Sequence, residues 1–409
     1  MIKNLVLGLA ILSISSTLTA QSVSVDNGGA TVTPDGQWTT RVTFYSPSIV
    51  RVSKYPGATA PDKKSYSVIM QPESVTLGTE RKANGVTLKS SSLTASIGAD
   101  GNVRFSDSKG NLLLSESASS HAPCVNKVDE GRFKVSQSYN LDSAEVIFGL
   151  GQRQSPVLNQ RGQDVRMWCG NTNITIPYFT SDKGYGLYWD NAGDSRFTDI
   201  DNIASFTSEV APSIDYYFIY RDGTQDGVIA GIRSLTGEAT MFPIWTLGHW
   251  QCRERYKSSD ELCDVLDRYR ALEIPLDGMV QDWQYWGCDS NWNAMKFVNP
   301  HYINKMGDAK WMRYLPNDED PNAVYPDPRI KSPEEMVSYV HDNNSKLMIS
   351  IWANFGPWTD QYVPTTRSTP RRVTSTGNIS PTSTRWASTH GGPTPPSPTT
   401  SRLRAMPTT

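Results

Sequence analysis

The 409 residues leave room for two or three ordinary domains, each with enough apolar content to bury a core. Hydrophobic residues make up 37% and charged residues 20%, and a formal net charge of −2 gives no reason to expect a nucleic-acid or polyanion partner. That total hides an asymmetry: residues 364–409 carry six Arg and no Asp, Glu or Lys, so the first 363 residues hold 33 basic against 41 acidic groups, a net charge of −8.

Residues 1–20 read as a cleaved secretory signal. Lys3 supplies the positive end, residues 5–12 are almost wholly apolar, and Thr19-Ala20-Gln21 offers a small-residue cleavage point. A buried N-terminal element is the alternative. The apolar run is too short and too rich in Ser and Thr to span a membrane, and no other stretch reaches that length. A secreted or periplasmic location is therefore expected, with no membrane span. The five cysteines, Cys124, Cys169, Cys252, Cys263 and Cys288, form no C-x-x-C and have no His at ligand spacing. They read mostly as small buried apolar residues. No metal and no cofactor is expected.

Residues 21–240 predict an all-β domain. Val42 and Phe44, then Ile49, Val50 and Val52, flank a break at Ser46-Pro47-Ser48. Leu93, Ala95 and Ile97 alternate with polar residues, Asp100-Gly101 supplies a tight turn, and Val103 and Phe105 resume the alternation. Residues 107–111 give the next turn, and residues 184–189 and 214–219 continue the pattern. Many short strands at this spacing suggest a β-sandwich.

The grammar changes near residue 241. Ser258 and Glu261 form a capping box, and Leu262, Val265, Leu266 and Tyr269 follow at helical spacing until Pro275. Residues 278–282 are a short apolar strand. The unit then repeats: Ser332, Pro333 and Glu335 start a helix with Met336, Tyr339 and Val340 on one face, and residues 346–352 are a nearly continuous apolar strand. With residues 242–250 as an opening strand, residues 241–363 predict three helix-backed strands of a parallel sheet.

From about residue 364 the chain has 13 Thr, eight Pro, seven Ser and six Arg in 46 residues, with no Phe or Tyr. Such a segment cannot bury enough surface to order itself. A natural disordered linker is one reading and out-of-frame translation is the other. The abrupt change in mid-domain favours the second.

Several motifs, in order, carry a resemblance. Phe242-Pro243-Ile244-Trp245-Thr246-Leu247-Gly248-His249-Trp250 through Tyr256 resembles the opening of the catalytic barrel of glycoside hydrolase family 31. Ile274-Pro275-Leu276-Asp277-Gly278-Met279-Val280-Gln281-Asp282-Trp283 through Gly287 resembles its second-strand signature. Trp292-Asn293-Ala294-Met295, Pro326-Asp327-Pro328 and Met348 through Asn354 are similar in turn, and upstream Phe148-Gly149-Leu150-Gly151, residues 176–179 and Trp189-Asp190 resemble the family's N-terminal domain. The resemblance covers roughly residues 25–363 and is closest in character to α-xylosidase-like members from gut bacteria. It implies multidomain β plus α/β architecture: an N-terminal β-sandwich followed by about three strands of a (β/α)8 TIM barrel.

The resemblance also implies retaining exo-hydrolysis of α-xylosides or α-glucosides, which needs two carboxyl groups about 5–5.5 Å apart. In the family both come from later barrel strands and loops, and no position here matches either. No catalytic residue is therefore assigned, and the chain as written is expected to be inactive. Four positions are expected to bind substrate: Asp282 at a strand end, hydrogen-bonding sugar hydroxyls, with Trp352 lining the same pocket and Trp283 and Asn354 as neighbours. Turn-capping by Asp282 and core packing by Trp352 are the plain alternatives. Arg253 and Glu254 either shape the pocket wall or form a surface pair. Acidic residues 317–320 and 190–201 read as solvated loops rather than calcium ligands, and His249 as a strand-end histidine. The expected partner is an oligosaccharide or glycoside. A non-catalytic carbohydrate-binding or scaffold protein using the sandwich is the second function class, and an adhesin with a Thr/Pro stalk is a third.

Overall fold

The computed structural model describes residues 22–34, 36–82, 85–169, 172–351 and 356–358. The expected signal, the tail from 364, and the positions Trp352 and Asn354 lie outside the described residues. The chain divides into two units between Thr240 and Met241.

In the N-terminal unit, alternation of apolar and polar residues becomes strands with one buried face. Leu93–Gly98 and Val103–Asp107 pair antiparallel, with Ala95 opposite Phe105. Between them Gly101 adopts φ +77°, which a Cβ would disfavour, and its N–H donates to the Gly98 carbonyl. Among the described residues two antiparallel sheets form. One has eight strands, from Ser22–Asp26 at one edge to Ile147–Gly149 at the other; the second has nine, from Asp164–Met167 to Gly78–Lys82.

The sheets join through their apolar faces. Phe218 of the first stacks on Phe105 of the second at 4.0 Å and 3°, and Tyr216 meets Tyr139 edge-on at 5.4 Å. Ile214–Ile219 is buried at every position, since it lies between Ile49–Tyr55 and Gly186–Trp189 with material on both faces. One charge pair crosses this core. Lys54 Nζ lies 2.8 Å from Glu116 Oε2, with side chains 4% and 0% exposed, and Glu116 also accepts from Tyr216 Oη and the Val103 N–H. Full hydrogen bonding is what makes such a buried pair tolerable.

Three sequence expectations need correction here. The domain is not all-β, because Gln225–Thr236 is a helix. Its signal was present in the sequence: Thr224 caps the Gly227 N–H, Asp226 sits in the first turn, and Val228 and Leu235 bury at i and i+7. The acidic residues from 190 to 201 are not all solvated. Asp190 is buried against Lys63 at 2.9 Å and Asp199 against Arg161 at 2.7 Å. Of the five cysteines only Cys263 and Cys288 are buried; Cys169 and Cys252 are exposed. Burial pushes the Cys263 thiol up to about 12.

In the C-terminal unit, Trp250–Gln251, Gly278–Gln281 and Lys346–Ile349 form a three-stranded sheet, parallel throughout. The opening strand is far shorter than residues 242–250. Ile244–Leu247 instead forms a 3-10 turn behind Pro243, which cannot donate to a sheet ladder. Helices Ser259–Ala271 and Pro333–Asp342 cover one face of the sheet. Leu262, Leu266, Met336 and Val340 pack there with Met279, Leu347 and Ile349. Both helices start as their capping residues dictate. Ser258 and Ser332 accept from the N–H groups of Glu261 and Glu335, while those Glu side chains reach back to the N–H groups of Lys257 and Lys331. The first helix stops at Ala271, four residues ahead of Pro275, with Glu273 left-handed at φ 55°.

Candidate functional site

In a parallel sheet backed by helices, the strand ends that lead into those helices carry the loops available for function. Here these are residues 252–258 after the first strand, 282–332 after the second, and those following Ile349 after the third. The strands approach closely at their starts. A Cβ on Gly278 would fall 2.3 Å from the Trp250 ring, so only Gly allows this indole to lie against the neighbouring strand.

Asp282 follows Gly278–Gln281 directly and is half-buried, not sealed in hydrocarbon. Although Cys252 is exposed as a residue, desolvation of its thiol, and after it the Asp282 carboxylate, pushes that thiol up. The third strand joins them through its backbone: the Ser350 N–H donates to the Gln281 carbonyl at 2.9 Å, and Tyr285 Oη donates to the Ser350 carbonyl at 3.1 Å.

Trp283 is half-buried and held on two sides. The Trp292 ring lies 5.6 Å away, and the Arg255 guanidinium sits 5.5 Å from the Trp283 ring. Arg255 in turn donates to Gln284 Oε1 and to Asp318 Oδ2. Burial works against ionisation of Asp318, but the Arg255 hydrogen bond and charge overcome it and hold its carboxyl below the usual range. Glu254, Arg255, Trp283, Gln284, Asp289, Asn317 and Asp318 line an open hollow of about 360 Å3. Trp283 is thus brought to a cavity wall. Of the other expected positions, Trp352 and Asn354 lie outside the described residues. The residues just after them return to this loop: the Gly356 and Trp358 N–H groups donate to the Trp292 and Ser290 carbonyls at 2.9 and 2.8 Å.

Arg253 pairs with Glu261 at 2.6 Å on the surface, while Glu254 alone of that couple reaches the hollow. His249 ends up exposed beside Tyr269, with 3.3 Å between Nε2 and Oη. In the acidic run at 317–320, Asn317, Asp318 and Asp320 are exposed as expected, and Glu319 is the exception. Asp318 binds Arg255, and the Glu319 side chain, 6% exposed, has its Oε2 2.5 Å from His301 Nε2. Among the described residues no group of three His, Cys, Asp or Glu side chains is arranged to hold a metal ion, and no helix is long and apolar enough to cross a membrane. A larger hollow of about 490 Å3 is lined by residues from Lys257 to Pro328, and Trp283 is not among them. The smaller hollow includes Trp283, and Asp282 lines neither of the two. Sequence reasoning missed Arg255, whose role depends on residues 29 and 63 positions away.

Two family models match the chain. The N-terminal galactose mutarotase-like domain of glycosyl hydrolase 31 matches residues 39–197, and the TIM-barrel domain of glycosyl hydrolases family 31 matches residues 239–394. The second match runs on past residue 363, into the Thr/Pro-rich segment. An α-xylosidase from Saccharolobus solfataricus is 33% identical over 338 residues, covering 80% of this chain and 42% of the relative. α-Glucosidase 2 of Bacillus thermoamyloliquefaciens is 27% identical over 265 residues, covering 60% and 32%. Among solved structures, a family 31 α-xylosidase from a soil metagenome, complexed with xylose, superposes with a TM-score of 0.65 at 21% identity, covering 81% of this chain and 47% of that one. The Xanthomonas citri α-xylosidase gives 0.65 at 23%, covering 82% and 50%. The chain thus spans half or less of the length of these relatives. With an antiparallel sandwich ahead of parallel, helix-backed strands, and both domain models matched in order, the chain belongs to glycoside hydrolase family 31.

Proposed function

We propose that this chain carries the opening part of an α-glycosidase site, of the α-xylosidase or α-glucosidase kind, and that Asp282 and Trp283 hold the terminal sugar of an α-glycoside. The observation that carries this reading is the half-exposed Asp282 at the C-terminal end of the middle parallel strand, next to a tryptophan on a cavity wall. A carboxylate there accepts two sugar hydroxyls, and the indole offers an apolar face to the ring. Trp352 and Asn354 are proposed for the same pocket on the resemblance alone. Titration calorimetry of the 409-residue chain with methyl α-xyloside and methyl α-glucoside tests it. Binding of one of them should weaken at least about tenfold in Asp282→Asn, as expected for a charged hydrogen-bond acceptor. Unchanged affinity removes Asp282 from the site.

Retaining hydrolysis needs two carboxyl groups, and residues 364–409 hold no Asp or Glu. We accordingly propose that the 409-residue chain by itself does not turn over glycosides, that residues 364–409 are read out of frame, and that residues 1–20 direct export. The nucleotide sequence near codon 364 tests the second point: another frame should restore an apolar strand ending in an Asp-containing segment. A second reading, a non-catalytic carbohydrate-binding protein, draws on Trp168, 52% exposed beside the sandwich strand Asp164–Met167. Micromolar oligosaccharide binding by the sandwich unit would favour it.

A further inference from the structure

Trp283 lies past the end of the strand Gly278–Gln281, so its orientation is set by the turn that follows rather than by the sheet ladder. That turn is unusual. Gln284 has φ 68°, in the left-handed region that a residue with a Cβ keeps only when its surroundings hold it there. Two partners distant in sequence do so. The buried Asn299 donates from Nδ2 to the Gln284 carbonyl at 3.0 Å, and Arg255 donates from one terminal nitrogen to Oε1 of the buried Gln284 side chain. The other terminal nitrogen of Arg255 donates to Asp318 Oδ2, and its guanidinium carbon lies 5.5 Å from the centre of the Trp283 ring. One planar group thus meets the turn, the indole and a carboxylate 63 positions away. Only an arginine suits all three contacts, because its rigid fork bonds two acceptors in its plane and stacks through its face, whereas a lysine is a point charge on a flexible stem.

We propose that Arg255 is a positioning residue of the sugar site: it fixes the turn at Gln284 and the plane of the Trp283 indole before a sugar arrives, and does not touch the sugar itself. The inference rests on the reading of Trp283 as a sugar contact given above. The physical cause is preorganisation. A side chain that must be ordered on binding subtracts from the affinity, and one already held does not. Trp292, 5.6 Å from Trp283 with 44° between the ring planes, limits the indole on a second side, while the guanidinium ties it to the loop after the first strand. The two terminal nitrogens of Arg255 are engaged by Gln284 and Asp318, which directs its action to the indole rather than to a ligand.

The test is a double-mutant cycle on the full 409-residue chain, with methyl α-xyloside as probe, or methyl α-glucoside if that is the sugar it binds, read by NMR titration so that weak affinities stay measurable. Arg255→Lys keeps the charge and loses the fork, and should weaken binding at least about fivefold. Arg253→Lys, at the neighbouring arginine whose partner is Glu261 on the surface, should bind as the parent does. In a Trp283→Ala background Arg255→Lys should cost less than about twofold more, because the ring it acts through is gone. The indole N–H signal of Trp283, assigned by its loss in Trp283→Ala, should move in Arg255→Lys without any sugar present, a shift that a loss of overall stability does not produce. An unmoved indole signal overturns the inference, and so do losses that multiply in full in the double variant, since Arg255 then acts on the sugar or on the fold. If the parent binds through Asp282 and Arg255→Lys binds within about twofold of it, the inference fails and the sugar site stands. If the parent binds neither glycoside, or binds one with an affinity that Asp282→Asn and Trp283→Ala leave unchanged, the sugar site fails and takes the inference with it.

Discussion

In the N-terminal unit each sheet covers the other, and the strand Ile214–Ile219 is buried along its whole length. In the C-terminal unit the helices cover one face of three strands, and on the opposite face Met348 remains 50% exposed. Both units satisfy local rules equally well, with alternation and Asp-Gly turns in one and capping boxes in the other. What differs, among the described residues, is how much of each sheet is covered. A parallel sheet is stable when both faces are covered. The comparison teaches that local signals can be equally well satisfied in two units whose sheets are covered to different extents.

The largest expected effect concerns catalysis. Purified 409-residue chain should turn over neither nitrophenyl α-xyloside nor nitrophenyl α-glucoside above the spontaneous rate, and measured turnover would break the contrast between the two units at once. Next comes hydrogen exchange. Amides of Ile214–Ile219 should exchange at least about 100-fold more slowly than those of Lys346–Ile349, because sheet opening is easier where one face is uncovered; equal protection would mean that the second sheet is covered in solution. Side-chain truncation sharpens the same point. Phe218→Ala, fully buried against Phe105, should cost the sandwich about 3–5 kcal/mol by denaturant titration, and Met348→Ser less than about 0.5 kcal/mol. Ser332→Ala should lower only the C-terminal unit's transition, by about 1 kcal/mol for a lost helix cap.

The smallest effect is a pH dependence. The Asp318 carboxyl is held below its ordinary 3.8, so the stability it lends is present above that value and is lost as pH falls through the lower folded value. With its side chain 50% exposed, the Arg255–Asp318 pair should contribute less than about 1 kcal/mol. Comparison of the parent chain with Asp318→Asn should show a difference at neutral pH that vanishes in acid. A difference that grows in acid would reverse the assigned sign.

Much of this was legible in the sequence. Period-two runs such as Leu93-Ala95-Ile97 located the strands, and Ser258 with Glu261 located a helix start to the residue, because both signals act within a few positions. The extent of the first barrel strand was not legible. An apolar run around Trp245 and Trp250 fits strand and turn alike, and Pro243 decided for the turn. The helix Gln225–Thr236 was overlooked although Thr224 announced it. The site was only partly legible. Asp282 stands out as a lone carboxylate after an apolar strand, but the hollow joins residues 254–255, 283–289 and 317–318, and nothing local in the sequence ties those segments together. Within the acidic runs, Asp190, Asp199 and Glu319 were misread for a related reason. Partners such as Lys63 for Asp190 and His301 for Glu319 are set by folding, not by spacing.

The most direct measurement is a crystal structure of the 409-residue chain soaked with whichever of methyl α-xyloside and methyl α-glucoside it binds. The account predicts a sugar ring within hydrogen-bond distance of the Asp282 carboxylate and against the Trp283 indole. A sugar found only on the sandwich unit, with Asp282 engaged by protein groups alone, would contradict it.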